Sequence, residues 1–342
     1  MEFLTDEAIA GFDEVGHTME FPRALGFGGA EDRQSSDVFA RAVLGSLLAQ
    51  MADLAACDDH ANELRRIALG EAEYVAAAKL RDSVGGWSYF PDLPDLPYDA
   101  DSLGAALELF TRAAPQFVPL CELPLQLALA SQDAGGSIST WIIPETDAAE
   151  RRTRMREGVA RFWGEDRSVD VCARLFGALN MRDRDRSAVD AGVRHVLAAQ
   201  EATGTWSGNW YWGPYYVTAL CSDLLRQRAD GATAMARAQA YMVRTQREEG
   251  GWGEKLSTPQ DTAWALWVLR DAKDAAAEAA SRRGLDWLCA QQKSAGHWQA
   301  ARWIRMDVGR AHGKVLHTLS YHSLTLSTAF CLRSAMYFAA QH

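Results

Sequence analysis

A seven-residue pattern, Gln-x-x-x-Gly-x-Trp, recurs along this chain and constrains its fold more than any other feature. The three full copies end at Trp206, Trp252 and Trp298, which are 46 residues apart. A fixed period of this length is typical of repeated helical hairpins. Weaker copies raise the number of units to six. These copies lie at residues 26–29, 85–87 and 135–141.

Each unit contains two helical segments of different composition. The first, as in Ala236–Arg247, carries charge and ends near the glutamine; the glycine that follows suits a left-handed helix end. The second is apolar and rich in small residues, as in Ser102–Leu109, Val171–Leu179, Val217–Leu225 and Thr262–Leu269. We expect Ser102 or Thr262 to cap its helix. We expect the charged helices to face water and the apolar helices to be covered on both sides.

Six such hairpins can form an open solenoid or close into a ring. The alternation of apolar and amphipathic helices favours an all-α fold, an α/α toroid or α6/α6 barrel. No linker rich in Pro, Gly or Ser separates the units, and 48% hydrophobic residues can fill a sizeable core. We therefore predict one domain over residues 1–342, with residues 1–20 as an N-terminal segment.

Charge and cysteine usage narrow the functional class. There are 35 basic and 45 acidic side chains, a net charge of −10, with no Lys/Arg run longer than a pair, which argues against a nucleic-acid groove. The first residues lack the pattern of a signal peptide, and there is no apolar run of 18 residues. The six cysteines form no CxxC pair, as expected of reduced thiols. These features predict a cytoplasmic protein.

Three segments carry a family resemblance beyond the repeat itself. They are Gly85–Ser102 (GGWSYFPDLPDLPYDADS), Gly204–Gly213 (GTWSGNWYWG) and Gly250–Leu266 (GGWGEKLSTPQDTAWAL). Over roughly residues 80–342, the chain resembles the squalene–hopene cyclase and class II terpene cyclase superfamily, whose toroid is shared with protein prenyltransferase β subunits. Larger cyclases insert a second domain, γ, near the N-terminus. The residues before Gly85 are too few to hold it, so we expect a lone β-type domain.

The resemblance implies a catalytic acid at Asp101. The family motif is Asp-x-Asp-Asp with the middle residue as proton donor, and this chain has Asp99, Asp101 and, in place of the last aspartate, Ser102. Two carboxylates so close in a dry cavity cannot both ionise cheaply, so one stays protonated. The N-terminus of the following helix and a hydrogen bond from Ser102 would stabilise the carboxylate left after proton transfer. Alternatively, Asp92, Asp95, Asp99 and Asp101 form a solvated loop between prolines.

Asp261 precedes the apolar helix of the fifth unit, in the place equivalent to Asp101. It could accept the final proton, orient a water molecule or cap its helix.

A carbocation in such a cavity would be stabilised by aromatic faces. We assign Trp87, Trp141, Trp206, Trp252 and Trp298 to the repeat turns, and Trp163, Trp267 and Trp287 to core packing. The remaining aromatic candidates for the cavity wall are Tyr89, Phe90, Trp210, Trp212, Tyr215, Trp264, Trp303 and Tyr321.

A group of basic residues follows the last repeat tryptophan: Arg302, Arg305, Arg310 and Lys314, with His312 among them. Such a group could bind a diphosphate, with Mg²⁺ assisting, or form a solvated loop. Glu31, Asp32 and Asp37 could hold a metal, but carboxylates before a helix more often cap it, and we expect no metal site. Protonation itself requires no cofactor.

These features together predict a class II, protonation-initiated terpene cyclase. The substrate would be a linear isoprenoid, either a prenyl diphosphate of farnesyl or geranylgeranyl size or a prenylated aromatic. A toroid that binds an isoprenoid without catalysis is one alternative. A zinc-dependent prenyltransferase is another, with Asp170, Cys172 and His322 as an incomplete ligand set. A second copy of the chain in a homodimer, the first 20 residues, or peripheral contact with a membrane could close the cavity.

Overall fold

A computed structural model describes residues 1–20, 33–79, 84–93, 95–310 and 313–341 of the chain. Most of these residues are helical. The helices are α1 (Glu2–Ile9), α2 (Val38–Leu54), α3 (Asp58–Ala77), α4 (Ala100–Ala113), α5 (Glu122–Ala130), α6 (Ala149–Phe162), α7 (Val169–Asn180), α8 (Arg186–Ala198), α9 (Tyr215–Leu225), α10 (Ala232–Thr245), α11 (Pro259–Leu269), α12 (Ala275–Ala290) and α13 (Leu324–Ala339). Short 3₁₀ segments occupy Asp13–Val15, Pro115–Cys121 and Ala229–Gly231.

Within the described residues, six strands form three antiparallel pairs, β1 with β2, β3 with β4, and β5 with β6. The strands are β1 (His17–Glu20), β2 (Arg33–Ser36), β3 (Tyr98–Asp99), β4 (Trp141–Ile142), β5 (Ile304–Val308) and β6 (His317–Tyr321). Two of these pairs border the site described below. In the β3–β4 pair, Asp99 lies opposite Trp141. In the β5–β6 pair, the register extends from Ile304 opposite Tyr321 to Val308 opposite His317.

Helices α2, α4, α7, α9, α11 and α13 form a closed inner ring. Each contacts the next, and α13 contacts α2. The ring confirms the predicted α/α toroid and excludes an open solenoid. Outer helices α1, α3, α5, α8, α10 and α12 alternate with the inner helices along the chain, and α6 is an additional helix before α7. The composition of the helices explains why they form an inner and an outer layer. The apolar inner helix α4 buries every residue from Ala100 to Leu107, whereas the more charged outer helix α3 buries one face.

The repeat turn is held by its glutamine and tryptophan. Gln246 Nε2 donates to the carbonyl of Gly250 (2.7 Å), within its own turn, and to that of Ala280 (2.8 Å), on the next outer helix. Trp252 Nε1 donates to the carbonyl of Met242, ten residues earlier (2.8 Å). Gly250 has φ +103°, a conformation that favours glycine. The turn therefore joins each hairpin to the next.

The third unit differs from the sequence assignment. Gln132 Nε2 donates to the carbonyls of Gly136 and Ala188, both at 3.0 Å, as in the other units. Two residues after Gly136, where a tryptophan would stand, is the fully buried Ile138. The assignment of Trp141 to this turn is therefore wrong, and Trp141 is available for another role.

The helix caps also differ from expectation. Asp99 caps α4 by accepting a hydrogen bond from the Ser102 backbone N–H, and Thr258 caps α11 by accepting one from the Asp261 backbone N–H. The caps are therefore the residues before these helices, and neither Ser102 nor Thr262 acts as a cap. No helix in the described ranges is long and apolar enough to cross a membrane.

Candidate active site

A cavity lined mainly by aromatic side chains lies at the end of the ring where the inner helices begin. It contains about 510 Å³ of empty space, counting the part open to solvent. Its aromatic lining residues are Phe39, Tyr89, Phe90, Trp141, Trp163, Trp210 and Tyr211. Leu96, Ile304 and Met306 extend the apolar surface, and the polar members of the lining are Asp99, Asp101 and Thr140. We call this space the aromatic cavity.

Asp101, the second residue of α4, borders the aromatic cavity and is only 9% exposed. Its two oxygens contact different donors. Arg174 Nε donates to Oδ1 at 2.6 Å, and the Tyr211 hydroxyl donates to Oδ2. Donors on both oxygens stabilise the ionised carboxylate, the form left once an acid has given up its proton.

Arg174, on α7, is the main residue of the candidate site that sequence reasoning missed. It is almost completely buried, and its Nη2 donates to the hydroxyls of Tyr211 (3.3 Å) and Tyr216. Its guanidinium carbon also lies 5.2 Å from the centre of the Phe39 ring. A signal did exist, because Arg174 is the single charged residue within the apolar run Val171–Leu179. Buried charges need a partner, and the partner here is Asp101.

Asp99 has a different environment from Asp101. It accepts hydrogen bonds from the backbone N–H of Ser102 (2.7 Å) and from the Ser102 hydroxyl (3.0 Å). Burial, assisted by the nearby charge of Asp101, raises the pKa of Asp99 to about 7. Ser102 thus stabilises Asp99, whereas the expected hydrogen bond to Asp101 comes from Tyr211.

Two further carboxylates, Asp166 and Asp170, hold the segment that lines one wall. Asp166 accepts hydrogen bonds from Trp210 Nε1 (2.6 Å) and from the Thr140 hydroxyl (2.6 Å). Asp170 accepts one from the Trp210 backbone N–H (3.1 Å), and burial raises its pKa to about 7. These bonds fix Trp210, and with it Tyr211, against the cavity. Sequence reasoning missed both roles.

Of the eight predicted aromatic residues, Tyr89, Phe90 and Trp210 line the cavity. Trp303 lies behind the lining, with its ring centre 5.7 Å from that of Phe39 and 5.9 Å from that of Tyr211.

The other four predicted aromatic residues are placed elsewhere. Trp264 is fully buried against Tyr216, with ring centres 4.9 Å apart. Tyr321 donates to the carbonyl of Val15 (2.6 Å), and Trp212 donates to the Ser320 hydroxyl (3.0 Å).

Tyr215 faces Tyr241, and it is absent from the cavity lining. The lining aromatic residues that were not predicted are Phe39, Trp141, Trp163 and Tyr211.

The predicted basic residues do not converge on one point. The guanidinium carbons of Arg302 and Arg305 each lie 5.1 Å from the Trp212 ring centre. Arg310 lies 4.7 Å from the ring of Trp210, which lines the cavity, and its Nη2 is 3.3 Å from Asp166 Oδ1. Lys314 is exposed, and His312 lies outside the described residues.

Asp261 lies in the first turn of α11 and does not line the cavity. The Thr258 hydroxyl donates to its Oδ2 at 2.9 Å, and burial raises its pKa to about 7.

The residues of the zinc alternative are not brought together. Asp170 and Cys172 are buried on α7, where burial raises the pKa of the Cys172 thiol to about 12. His322 is exposed after β6. In the ranges that the structure describes, no group of three or more His, Cys, Asp or Glu side chains could hold a metal ion. Of the acidic residues considered for a metal, Glu31 and Asp32 are not described.

Asp37, the third of those residues, precedes α2. Its carboxylate accepts hydrogen bonds from the Tyr74 hydroxyl (2.9 Å) and from Arg41 Nη1 (3.4 Å).

Sequence comparison identifies relatives with known chemistry. A family model for the squalene–hopene cyclase C-terminal domain matches residues 164–327. The squalene–hopene cyclase of Zymomonas mobilis is 33% identical over 152 residues, which are 39% of this chain and 23% of that protein. The terpentedienyl-diphosphate synthase of Kitasatospora griseola is 33% identical over 133 residues, which are 33% of this chain and 27% of that protein. The matches span about a quarter of these relatives.

Comparison with solved structures covers nearly the whole chain. The type II terpene cyclase MstE from Scytonema, without ligand, superposes with a TM-score of 0.70 at 19% identity, over 99% of each chain. A variant of MstE in complex with geranylgeranyl dihydroxybenzoate, its substrate, gives a TM-score of 0.69 at 20% identity, over 99% of this chain and 98% of that one. At these identities the likeness establishes the fold.

Proposed function

Because the chain belongs to the squalene–hopene cyclase and class II terpene cyclase superfamily, we propose that it is a class II terpene cyclase with Asp101 as general acid. The observation that carries the proposal is the position of Asp101. It is a buried carboxyl group on the wall of an aromatic cavity, with Arg174 and Tyr211 hydrogen-bonded to its oxygens.

The proposed reaction begins with proton transfer from Asp101 to a carbon–carbon double bond of the substrate. The acid's O–H bond breaks, a C–H bond forms, and the neighbouring carbon becomes a cation that the remaining double bonds attack in turn. Arg174 and Tyr211 donate hydrogen bonds to the carboxylate that the proton transfer leaves on Asp101. Aromatic rings such as Trp141, Trp163 and Trp210 stabilise the cation, each by about 0.5–2 kcal/mol. Loss of a proton or capture of water ends the reaction, and no cofactor is needed for the protonation.

The proposed substrate is a linear isoprenoid. Two kinds of relative support this proposal: a terpentedienyl-diphosphate synthase, and a cyclase whose substrate is geranylgeranyl dihydroxybenzoate. A prenyl diphosphate of farnesyl or geranylgeranyl size is our first choice, and a prenylated aromatic is the second. Arg310, beside the cavity-lining Trp210, is the basic residue best placed to meet an anionic head group. If that group is a diphosphate, Mg²⁺ would assist.

We further propose that a single toroid in the cytoplasm carries out this reaction. The cavity mouth would be covered by a second copy of the chain, by the N-terminal segment or by contact with a membrane.

The test is incubation with a panel of linear prenyl diphosphates and prenylated aromatics, followed by mass spectrometry. The expected product is an isomer of unchanged mass if proton loss ends the reaction, or a product heavier by one water molecule if water is captured. Asp101→Asn is expected to abolish its formation without unfolding the protein, whereas the control Asp95→Asn, which alters a partly exposed acid of the same loop, should retain activity. Loss of diphosphate from the product would contradict protonation as the first step. An Asp101→Asn variant that binds isoprenoids as the wild type does, where neither turns them over, would support the non-catalytic alternative.

A further inference from the structure

The N-terminal segment places a histidine behind the wall of the aromatic cavity. His17, the first residue of β1, is only 4% exposed. Its Nδ1 lies 2.7 Å from the hydroxyl oxygen of Tyr89, whose side chain lines the cavity. His17 itself does not line the cavity, so its imidazole is connected to that space through Tyr89. We call these two residues the His17–Tyr89 pair.

We propose that Tyr89 accepts the proton that ends the cyclisation and passes its own hydroxyl proton to His17. This inference rests on the proposed function, which leaves open whether proton loss or water capture ends the reaction. The His17–Tyr89 pair assigns the end of the reaction to proton loss, so the product carries a new double bond and no added water. Tyr89 contacts the substrate in this step, whereas His17 acts through Tyr89.

Contacts on two sides hold His17 in this position. On one side, Glu14 accepts hydrogen bonds from a hydroxyl and two backbone N–H groups at the start of α13 (2.7, 2.6 and 3.0 Å). The Tyr321 hydroxyl also donates to the carbonyl of Val15 (2.6 Å). On the other side, His17 is paired with Ser36 of β2. The N-terminal segment is therefore fixed to the ring directly before and after the point where its imidazole meets the cavity wall.

The imidazole of His17 is in the form that accepts a proton. Burial, assisted by the nearby charge of His322, lowers the pKa of His17 to about 3, so the ring is neutral at neutral pH. A phenol is a stronger acid than a neutral imidazole N–H, so the Tyr89 hydroxyl donates and Nδ1 accepts. A C–H bond beside a carbocation is far more acidic than an imidazolium, so even this weak base is sufficient. The imidazolium would lie against the Tyr321 ring, whose centre is 4.5 Å from that of His17.

The other polar groups of the cavity lining are already engaged in hydrogen bonds. Both oxygens of Asp99 and both oxygens of Asp101 accept hydrogen bonds. The Thr140 hydroxyl donates to Asp166 (2.6 Å), a carboxylate that also accepts from two other side chains. Each ring closure, moreover, moves the cation further from the atom that Asp101 first protonated. Tyr89 is therefore the lining residue best suited to take the last proton, because a neutral base lies behind its hydroxyl.

The proposed step moves one proton out of the cation. The C–H bond next to the cationic carbon breaks, and its electron pair forms the new carbon–carbon double bond. The proton bonds to the Tyr89 oxygen while the hydroxyl proton of Tyr89 moves to His17 Nδ1. The imidazolium then gives that proton to a solvent water molecule when the product leaves. Both residues end in the protonation state in which they began.

The test compares two fates of the same cation. Mass spectrometry separates products of unchanged mass, which arise by proton loss, from products heavier by one water molecule, and the wild type should form mainly the former. His17→Asn keeps a hydrogen-bond acceptor for Tyr89 but removes the base, so the ratio of isomer to hydrated product should fall roughly tenfold or more. Tyr89→Phe should lower the ratio as strongly. His195→Asn, on outer helix α8, is the matched control and should leave the ratio unchanged.

Added imidazole distinguishes a lost base from a lost packing contact. In His17→Ala, free imidazole can occupy the space of the missing ring, so it should restore much of the isomer, and a merely structural role of His17 would give no such rescue. An unchanged ratio in His17→Asn would overturn the proposal. A wild type that forms mainly the hydrated product would overturn it as well.

A second measurement needs no substrate and separates this inference from the proposed function. Nitrogen-15 NMR identifies the His17 ring by the signals that His17→Asn removes. At neutral pH the ring should be uncharged, with its proton on Nε2 and with Nδ1 accepting the Tyr89 hydroxyl proton. A charged ring, or a proton on Nδ1, would refute the pair as a proton acceptor even if cyclisation is confirmed. The expected form would support the pair even if the substrate panel gives no product, whereas cyclisation that survives Asp101→Asn would refute the proposed function alone.

Discussion

The tryptophans of the regular repeat turns and those of the aromatic cavity differ in what their indole groups contact. In the turns, Nε1 donates to a carbonyl ten residues earlier on the preceding outer helix, at 2.7 Å for Trp206 and Trp298 and 2.8 Å for Trp252. In the cavity, Trp210 Nε1 donates to the Asp166 carboxylate, and Trp141 Nε1 has no hydrogen-bond partner within the described residues.

The surroundings of the indole rings also differ between the turns and the cavity. The turn tryptophans are surrounded by protein, and Trp206 and Trp252 are completely buried. The cavity tryptophans pack on one another, with the centres of Trp141 and Trp163 5.3 Å apart, and border empty space. The same side chain therefore stabilises the hairpins in one region and lines the aromatic cavity in the other. Variants should separate the two roles into effects on stability and effects on products.

Arg174→Met should have the largest effect, because we expect Arg174 to contribute both to the stability of the fold and to catalysis through its contact with Asp101. Loss of the guanidinium leaves Asp101 buried without its cation, which costs about 3–5 kcal/mol of folding free energy. The weaker stabilisation of the carboxylate should lower kcat/KM by about a hundredfold or more. Denaturant unfolding and steady-state kinetics measure the two losses. Arg228→Met, which removes surface pairs with Asp190 and Asp230, should cost less than about 1 kcal/mol. A stable, active Arg174→Met variant would contradict this account.

Trp252→Ala should be the most destabilising change among the turn tryptophans. Removal of a fully buried indole costs about 3–5 kcal/mol. Trp163→Ala, in the cavity wall, should cost less because part of its ring already borders empty space. The folded fraction of Trp252→Ala should form the wild-type products, whereas Trp163→Ala should not. Differential scanning calorimetry with product analysis checks both statements, and a change of product in Trp252→Ala would break the comparison.

Asp170→Asn should change how stability depends on pH. Burial raises the pKa of Asp170 from 3.8 to about 7, so its stabilising contribution is complete below pH 3.8 and is lost as pH rises through about 7. The loss amounts to a few kcal/mol, roughly 1.4 for each pKa unit. An asparagine keeps the acceptor for the Trp210 N–H and carries no charge. The variant should therefore match the wild type near pH 4 and exceed its free energy of unfolding near pH 8.

The measurement for Asp170→Asn is denaturant unfolding across that pH range. Titrating groups that do not interact with Asp170 cancel in the difference, whereas Asp166 and Asp101, whose charges act on Asp170, do not cancel fully. A difference between variant and wild type that stays constant with pH would show that Asp170 ionises normally.

Trp141→Phe should have the smallest effect and gives the most direct view of the cavity wall. Trp141 Nε1 makes no hydrogen bond within the described residues, so phenylalanine loses only aromatic surface. A weaker cation–π contact should slow cyclisation up to about tenfold and shift the product ratio, with stability nearly unchanged. Trp206→Phe should have the opposite pattern. It should lower the free energy of unfolding by about 1 kcal/mol, because the hydrogen bond from the indole to the Val196 carbonyl is removed, and it should keep the product ratio. Gas chromatography of the products distinguishes the two results.

Local patterns were enough to predict the toroid, the turns that end at Trp87, Trp206, Trp252 and Trp298, and the close spacing of Asp99 and Asp101. The weak copy at residues 26–29 lies outside the described residues. The Gln246–Gly250–Trp252 turn involves residues of one repeat and the next, and Asp99 lies two residues from Asp101. Both features depend on short spacings in the sequence, which is why they could be predicted. The register of the third unit was missed because Trp141 stands close to a glycine pair, although Ile138 has the correct spacing from Gln132.

Contacts across the ring could not be predicted in the same way. Arg174 is 73 residues from Asp101, and Tyr211 is 110 residues from it. Trp264 and Trp303 were expected in the cavity wall because of their residue type and their repeat positions. Both lie deeper in the ring, and Phe39 and Trp163 occupy the wall instead.

Periodicity and composition in the chain determine the six hairpins and the division into inner and outer helices. Both depend on residues that are close together in the sequence, within one helix or in neighbouring repeats. Closure of the ring determines the rest. It brings α4, α7 and the segment before α9 to one point, where burial forces Asp101 and Arg174 to pair. Desolvation and long-range contact create this chemistry, and neither property can be read from neighbouring residues in the sequence.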